Sequence, residues 1–279
     1  MFASAPSIAA GCWPGRSGAA GLAASRGAKL RAAGIPVDCG LLEAEARQVI
    51  PGFIARMTRG RGRVRAKLAM SLDGRTAMDS GESQWITGPA ARARVHLLRA
   101  THDAVLVGAG TMRADDPALN VRLPGLERRT PVRIVADSGA TLSKSSQLAR
   151  TAIKTPVWLC HRHGIDATTV PEGVDAIPVA PLGGALDLTD MMTTFSARGL
   201  TRIFCEGGGG LAAGLLRAGL VDELVWMTAG LAIGGDGAPG LADLGIDALG
   251  TAPRFTLTRA ERLGGDVMTV WHPQRQNPA

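Results

Sequence analysis

Residues able to do chemistry gather between Lys67 and Arg122 and again near Glu206. In KLAMSLDGRTAMDSGESQWITG, Lys67 sits among apolar strand-like neighbours. Such a lysine either snorkels from a sheet edge or points into a site, where it can hold an anion or pass a proton. Asp73-Gly74 reads as a tight turn with the aspartate capping it. Arg92, Arg94, His96 and Arg99 fall on one predicted helix, and most are expected on its solvated face. Asp115-Asp116-Pro117 resembles a metal pair but lacks a nearby third ligand. Asp116-Pro117 therefore reads as a turn, and Asp115 as a hydrogen-bond acceptor.

Two glycine-rich turns could cradle phosphate. VGAGTM (107–112) follows an apolar strand, and EGGGGLAAG (206–214) opens a helix. Glycine permits close backbone approach, and free N–H groups at a helix start attract anions. Neither turn is a dinucleotide fingerprint, because the second lacks an acidic residue about twenty positions on. Placed on the C-terminal ends of neighbouring strands, the two together would be more persuasive than either alone.

The elements that must position these groups alternate. Strands are predicted at VRAKLAMS, 104–108, 132–137, 157–160, 176–180 and 202–208, with helices at 88–100, 187–198 and LAAGLLRAG. Thr87 is the expected N-cap of the first of these helices, with Gly88-Pro89 in the first positions. ELVWMTAG and the hairpin FTLTRAERLG…DVMTVWH close the chain. This order predicts an α/β fold: a mainly parallel sheet, helices on both faces and a C-terminal antiparallel hairpin. Upstream, GLAASRGAKLRAAG reads as a helix ending at Gly34, IPVDCG as a short strand, and LLEAEARQVIPGFIARM as a helix interrupted at Pro51. The expected divisions are a poorly ordered 1–16, an αβα fragment at 17–57, a flexible basic linker at 58–63, a main domain at 64–272 and a tail at 273–279.

Composition narrows the partners. Net charge is +7, yet only Lys29, Lys67, Lys144 and Lys154 among the 31 basic residues are lysine. With so much Ala and Gly, this bias reads as coding background. The functional reading is an anionic partner, and scattered arginines without a basic run suit a phosphorylated small molecule better than a nucleic acid. Tyrosine is absent and aromatics make up 4%, which argues against base-stacking platforms. Cys12, Cys39, Cys160 and Cys205 are far apart, so neither a disulfide framework nor a structural zinc site is supported. Cys160 and Cys205 are expected as buried thiols. No apolar run is long enough for a membrane span, and the expected location is the cytoplasm.

The motifs KLAMSLDGRTAMDSGESQWITG, LLRATHDAVLVGAGTMRADDPALNVR, VRIVADS and FCEGGGGLAAGLL, followed by AGLVDEL, closely resemble the reductase domain of the bifunctional riboflavin-biosynthesis deaminase/reductase. The resemblance runs in order over about 64–272. It implies a dihydrofolate-reductase-like fold, NADPH as cofactor, and reduction of the ribosyl group of 5-amino-6-(5-phosphoribosylamino)uracil to the ribityl form. Matching motif positions implies that Ser83, Arg99, Leu119, Arg122 and Glu206 contact the phosphorylated pyrimidine. It places Ala69, Trp85, Thr111, Asp115, Ser138 and the run Gly208, Gly209, Gly210, Leu211, Ala212, Ala213, Gly214 on the NADPH side. Arg99 and Arg122 suit bidentate phosphate capture. Lys67 and Glu206 are the candidate catalytic pair, polarising or protonating the ring-opening centre. Gly210 departs from the family pattern, which has a hydroxyl residue there.

The segment before the basic linker (GLAASRGAKL…FIARM) resembles the last part of the deaminase half, but the chain holds neither His-x-Glu nor Pro-Cys-x-x-Cys. No zinc and no deaminase activity are therefore expected. A homodimer is suggested by the family and by the apolar C-terminal strands. The competing readings are a non-catalytic phosphate-ligand binder on the same fold and a related reductase of a pterin-like substrate.

Overall fold

The structure is a computed structural model that describes residues 27–38, 40–166 and 168–274. Its contacts divide the chain into two compact units, with the boundary between Arg63 and Val64. In the first unit, helix α1 (27–32) closes at Gly34, whose φ of 77° is the left-handed conformation expected of a C-terminal glycine. Residues 35–38 form no strand, so the expected strand IPVDCG is not made there. Among the described residues no strand pairs with this short run, and Arg31 Nη2 donates to the Val37 carbonyl at 3.1 Å. Helices α2 (Glu43–Val49) and α3 (Pro51–Arg59) are separated at Ile50, because Pro51 has no N–H to continue α2 and starts α3 instead. Since α3 runs to Arg59 and the first strand begins at Arg63, the predicted linker 58–63 shrinks to 60–62. The expectations for 1–16, 17–26, Cys39 and 275–279 fall outside the described residues.

The second unit is built on β1 (Arg63–Met70), β3 (Ala104–Gly108), β4 (Val132–Ala136), β5 (Val157–Arg162), β6 (Val174–Val179), β9 (Arg202–Cys205), β10 (Glu223–Thr228), β12 (Phe255–Leu263) and β13 (Asp266–Pro273). These form a nine-stranded sheet ordered β12-β13-β10-β1-β9-β3-β4-β5-β6. Two short ribbons stand apart from it: β2 (Arg75–Met78) with β11 (Gly237–Pro239), and β7 (Pro181–Leu182) with β8 (Ala185–Leu186). β1 runs parallel to β10, and β9, β3, β4, β5 and β6 pair in parallel. β13 pairs antiparallel with β10 and with β12, which is the predicted closing hairpin. The remaining helices are α4 (Pro89–Ala100), α5 (Ala109–Asp115), α6 (Gln147–Arg150), α7 (Leu188–Ala197) and α8 (Gly209–Arg217).

Strand alternation splits the interior into two layers. Ala104, Leu106, Ile134, Ile203 and Cys205 pack with Met191, Met192 and Phe195 of α7 and Leu215 of α8. Val105, Val107, Val135 and Phe204 pack on the other face with Ala91 and Val95 of α4, Met112 of α5 and Leu148 of α6. Both faces of the central strands are thus apolar, as a covered parallel sheet requires. This is the α/β class expected from the sequence. Cys160 and Cys205 are buried thiols as expected, and burial pushes the Cys205 thiol up to about 12. Among the described residues no helix is long and apolar enough to cross a membrane.

Alternation also decides where Lys67 points. Val64, Ala66, Leu68 and Met70 face the α7–α8 layer, so Lys67 and Ala69 face the α4 layer. On β9, Ile203 and Cys205 face α7–α8, and Phe204 faces α4. Glu206, two residues beyond Phe204, extends that side.

Asp73 does cap its turn and also binds a distant loop. Its carboxylate accepts from Ser71 Oγ (2.5 Å), from the Ile233 amide (3.1 and 3.2 Å) and from the Gly234 amide (2.5 Å). The Ser71 hydroxyl and the two amides hold Asp73 down to about 2. A carboxylate with a depressed folded-state pKa contributes stability above its unfolded value, and that contribution is lost as pH falls through the folded one. The clasp is therefore complete above about pH 4 and released near pH 2. Asp73→Asn should raise hydrogen exchange at 231–234 without changing exchange in β4 and β5; unaltered exchange at 231–234 would refute the clasp.

Candidate active site

The two glycine-rich runs follow adjacent parallel strands, with Leu106 of β3 opposite Cys205 of β9; the first does not form a free turn but enters α5 at Ala109. The Glu206 amide donates to the Leu106 carbonyl (2.9 Å), and the Gly208 amide donates to Thr111 Oγ1 (3.0 Å), tying α5 to the start of α8. Gly207 has no room for a side chain: a Cβ there would lie 2.7 Å from Leu211 Cδ2 and 3.3 Å from the Gly108 nitrogen. The first intrahelical bond of α8 runs from the Ala212 amide to the Gly208 carbonyl (3.2 Å). The amides of Gly209, Gly210 and Leu211 precede it and are left for an anion. The run 208–214 thus divides. Residues 208–211 present backbone, whereas Ala212 and Ala213 are buried, and a Cβ on Gly214 would meet Leu188 Cδ1 of α7 at 3.0 Å.

Glu206 stands at the end of β9, which lies between β1 and β3. Arg99, on the last turn of α4, grips its carboxylate with two hydrogen bonds, Nε–Oε1 at 2.5 Å and Nη2–Oε2 at 2.8 Å. The pair is largely buried, at 13% and 8% side-chain exposure. The face of Arg99 suited to bidentate capture of a phosphate is therefore engaged by Glu206. Its Nη1 donates to the Asn120 carbonyl (2.9 Å). Burial alone would raise the Glu206 pKa; the charge and hydrogen bonds of Arg99 and the charge of Lys67 outweigh it and hold the group below the ordinary carboxylate range. For Lys67, burial is the largest influence and lowers its pKa, with Glu206 opposing and Arg99 assisting. Asp115, at the end of α5, is raised by burial and partly restored by Lys67. The cluster is a Glu206 carboxylate gripped by Arg99, with a buried Lys67 nearby that releases its proton more readily than an ordinary lysine.

The loop after α5 supplies a third side. Asp116 (φ 37°) makes the predicted turn; its Oδ1 accepts from the Gln147 amide at 2.9 Å. Leu119 (φ 53°) is 3% exposed with its side chain in the core, so its backbone is the part left to meet a ligand. Buried Arg133 on β4 steadies this loop, donating to the Ala118 carbonyl (3.3 Å) and to Thr151 Oγ1 (2.6 Å). His96 Nδ1 lies 3.2 Å from both the Asn120 carbonyl and the Arg122 amide. Burial, Arg99 and Arg122 lower the His96 pKa, which favours the neutral ring accepting from the Arg122 amide. The Arg122 side chain is exposed.

α4 therefore departs from the expected solvated face. Arg99 and His96 turn to the site loop, and Arg94 pairs with Glu261 of the hairpin. The N-cap also moves: it is Gly88, not Thr87, and the Gly88 amide donates to Asp266 Oδ2 at 2.7 Å. That contact comes from the hairpin and has no signature near Thr87 in the sequence. Ser83 and Trp85 lie in the loop before α4. Trp85 is 64% exposed, and the Arg92 guanidinium sits 4.6 Å from its ring centroid. Ser138 lies just past β4, one strand beyond α5. Sequence reasoning missed Asn120 and the inward role of His96; the i, i+3 spacing of His96 and Arg99 was the available signal. Among the described residues no group of three or more His, Cys, Asp or Glu side chains could hold a metal.

The family model described as the RibD C-terminal domain matches residues 63–269. The riboflavin biosynthesis protein RibD of Escherichia coli K12 is 40% identical over 251 residues, covering 86% of this chain and 67% of that protein. A solved structure of Acinetobacter baumannii RibD superposes with a TM-score of 0.78 at 31% identity, covering 90% of this chain and 69% of the other. The Thermotoga maritima protein, named a diaminohydroxyphosphoribosylaminopyrimidine deaminase/5-amino-6-(5-phosphoribosylamino)uracil reductase, gives 0.77 at 27% identity, over 88% and 66% of the two chains. The chain thus spans about two thirds of the length of these relatives. With its glycine turns on adjacent strands and its charged cluster beside them, the chain belongs to the family of the RibD C-terminal domain, the pyrimidine reductases of riboflavin biosynthesis.

Proposed function

We propose that this chain reduces the ribosyl group of 5-amino-6-(5-phosphoribosylamino)uracil to the ribityl form with NADPH. The observation that carries the reading is the cluster Lys67, Arg99 and Glu206 beside the outward amides of α8. The backbone fits the cofactor: Gly209, Gly210 and Leu211 amides suit the pyrophosphate, and Thr111 holds the turn that presents them. When bound, NADPH supplies a hydride. The chain's own residues align the substrate and manage the proton. Lys67 is suited to protonate the substrate nitrogen as C1′ of the opened imine becomes saturated, and ionised Glu206 keeps Lys67 and Arg99 in place. The exposed Arg122 is the cation available for the substrate phosphate, since Arg99 is held by Glu206.

Deamination forms no part of this proposal; we read 17–57 as the last part of a deaminase half. A homodimer belongs to the proposal, with exposed Leu257 and Val267 on the outer hairpin as its apolar contribution. The test is NADPH oxidation, followed by absorbance, with the phosphoribosylamino-pyrimidine as substrate, and light scattering on the same preparation. Stoichiometric NADPH oxidation and ribityl product are expected from a dimer. Tight NADPH binding with no turnover would refute the catalytic reading.

A further inference from the structure

The loop that carries Arg122 is held, one peptide group after another, by side chains from other elements. Leu119 and Val121 are buried, which fixes two of its side chains in the protein. The Asn120 carbonyl accepts from Arg99 Nη1 at 2.9 Å, and the Val121 amide donates to Thr130 Oγ1 at 3.1 Å. The Arg122 amide donates to His96 Nδ1 at 3.2 Å. His96 and Arg99 stand three residues apart on α4, so one face of that helix holds both Asn120 and Arg122. The backbone of Arg122 is thereby fixed while its side chain stays exposed.

His96 Nδ1 lies 3.2 Å from two groups of opposite character, the Arg122 amide and the Asn120 carbonyl. One ring nitrogen cannot serve both. Without a proton it accepts from Arg122; with one it donates to Asn120. The Asn120 carbonyl already has Arg99 as a donor, whereas among the described residues the Arg122 amide has no acceptor besides His96. The neutral ring with its hydrogen on Nε2 therefore satisfies more of these groups than the other tautomer. Burial, Arg99 on α4 and Arg122 on the loop lower the His96 pKa, and the Asn120 carbonyl and Glu206 at the end of β9 oppose them. The short turn Glu127–Arg129 also packs on α4 and brings Glu127, Arg128 and Arg129 to that helix. The hairpin carboxylates Glu261 and Asp266 meet α4 elsewhere, at Arg94 and Gly88. Since the folded pKa lies below the ordinary value of about 6.5, the Arg122 bond is complete above that value and lost as pH falls through the lowered one.

We propose that His96 is a positioning residue for substrate capture: unprotonated Nδ1 aims Arg122 at the substrate phosphate, and protonation turns Nδ1 to the Asn120 carbonyl and releases Arg122. The proposal rests on the reductase reading above for the identity of the substrate. In the ¹⁵N-labelled chain without ligand, the Arg122 amide and the His96 ring resonances are followed from about pH 8 to about pH 4. The Arg122 amide is expected to titrate in step with the ring. His96→Gln, whose carboxamide oxygen accepts at every pH, should hold the Arg122 amide at its high-pH position. Ribose 5-phosphate, a probe of the phosphate end alone, is titrated into the same samples. Between the two ends of the range the wild-type chain should lose about 10-fold more affinity for it than His96→Gln does, a comparison that cancels the titration of the phosphate itself. With the phosphoribosylamino-pyrimidine at about pH 8, His96→Ala should raise KM about 10-fold and change kcat less than about 2-fold, the mark of lost uniform binding. His96→Gln should restore KM. A ring that stays neutral throughout, an Arg122 amide indifferent to its titration, a His96→Gln variant that loses as much ribose 5-phosphate affinity as wild type, or an unchanged KM in His96→Ala would overturn the proposal and leave the reductase reading standing. An Arg122 amide and a phosphate affinity that follow His96 in a chain without turnover would sustain the role of His96 and overturn the reductase reading.

Discussion

Glu206→Gln is expected to lower turnover about 100- to 1,000-fold, the range associated with loss of one preorganised electrostatic group in a site. The physical cause is the charge balance of the cluster. Glu206 is the carboxylate gripped by Arg99, and it is the strongest influence opposing the depression of the Lys67 pKa. Gln keeps the shape but removes the charge, leaving the largely buried Arg99 guanidinium without its anion. Breaking one side of a buried pair costs about 3 kcal/mol. The pH profile should change in a definite direction. Since Glu206 raises the Lys67 pKa, its loss drops that pKa further, and the basic limb of kcat/KM moves toward lower pH. Lys67→Ala removes the same limb and relieves the repulsion with Arg99, so turnover falls without a comparable loss in melting temperature. Steady-state kinetics across pH and thermal melts of both variants decide this. Near-normal turnover in both would remove Lys67 and Glu206 from the chemistry.

The second large effect separates two adjacent glycines. A Cβ on Gly209 would lie 2.8 Å from the Gly240 carbonyl oxygen and 3.1 Å from the Ala242 nitrogen. Those are backbone atoms in a segment held by the bond from the Gly240 amide to the Gly74 carbonyl (2.8 Å), so they cannot swing aside. Gly209→Ala should cost about 1–3 kcal/mol of stability, the usual range for overpacking. It should also weaken NADPH about 10-fold by displacing the first turn of α8. A Cβ on Gly210 meets nothing within 4 Å. Gly210→Ser should therefore stabilise the chain by up to about 1 kcal/mol through the unfolded state. It should also tighten NADPH a few-fold by adding one hydroxyl, worth about 1 kcal/mol. Thermal melts and NADPH titrations test both. A neutral Gly209→Ala together with a weakened Gly210→Ser would contradict the geometry.

Much of this was legible in the residues. The strand at 104–108 and the helix over 188–197 match their predicted spans closely, because apolar runs and turn residues act locally. The site was half legible. Lys67 was left between a sheet edge and a site until the packing of Val64, Ala66, Leu68 and Met70 on the α7–α8 layer set it on the opposite face of β1, and the motif resemblance named Arg99 and Glu206. It did not say that the two grip each other. His96 and Arg94 looked like a solvated helix face, since helical spacing shows which residues share a side but not what covers that side.

The sequence by itself determined the order of the central strands and of helices α4, α7 and α8, the closing hairpin and the family. Only the tertiary structure decided that Arg99 closes on Glu206, 107 residues away, that His96 Nδ1 stands between the Asn120 carbonyl and the Arg122 amide, and that Gly209 is confined where Gly210 is open. The first group depends on backbone preference and burial period over a few residues. The second depends on which distant atoms arrive within about 3–4 Å, and spacing along the chain does not encode that distance.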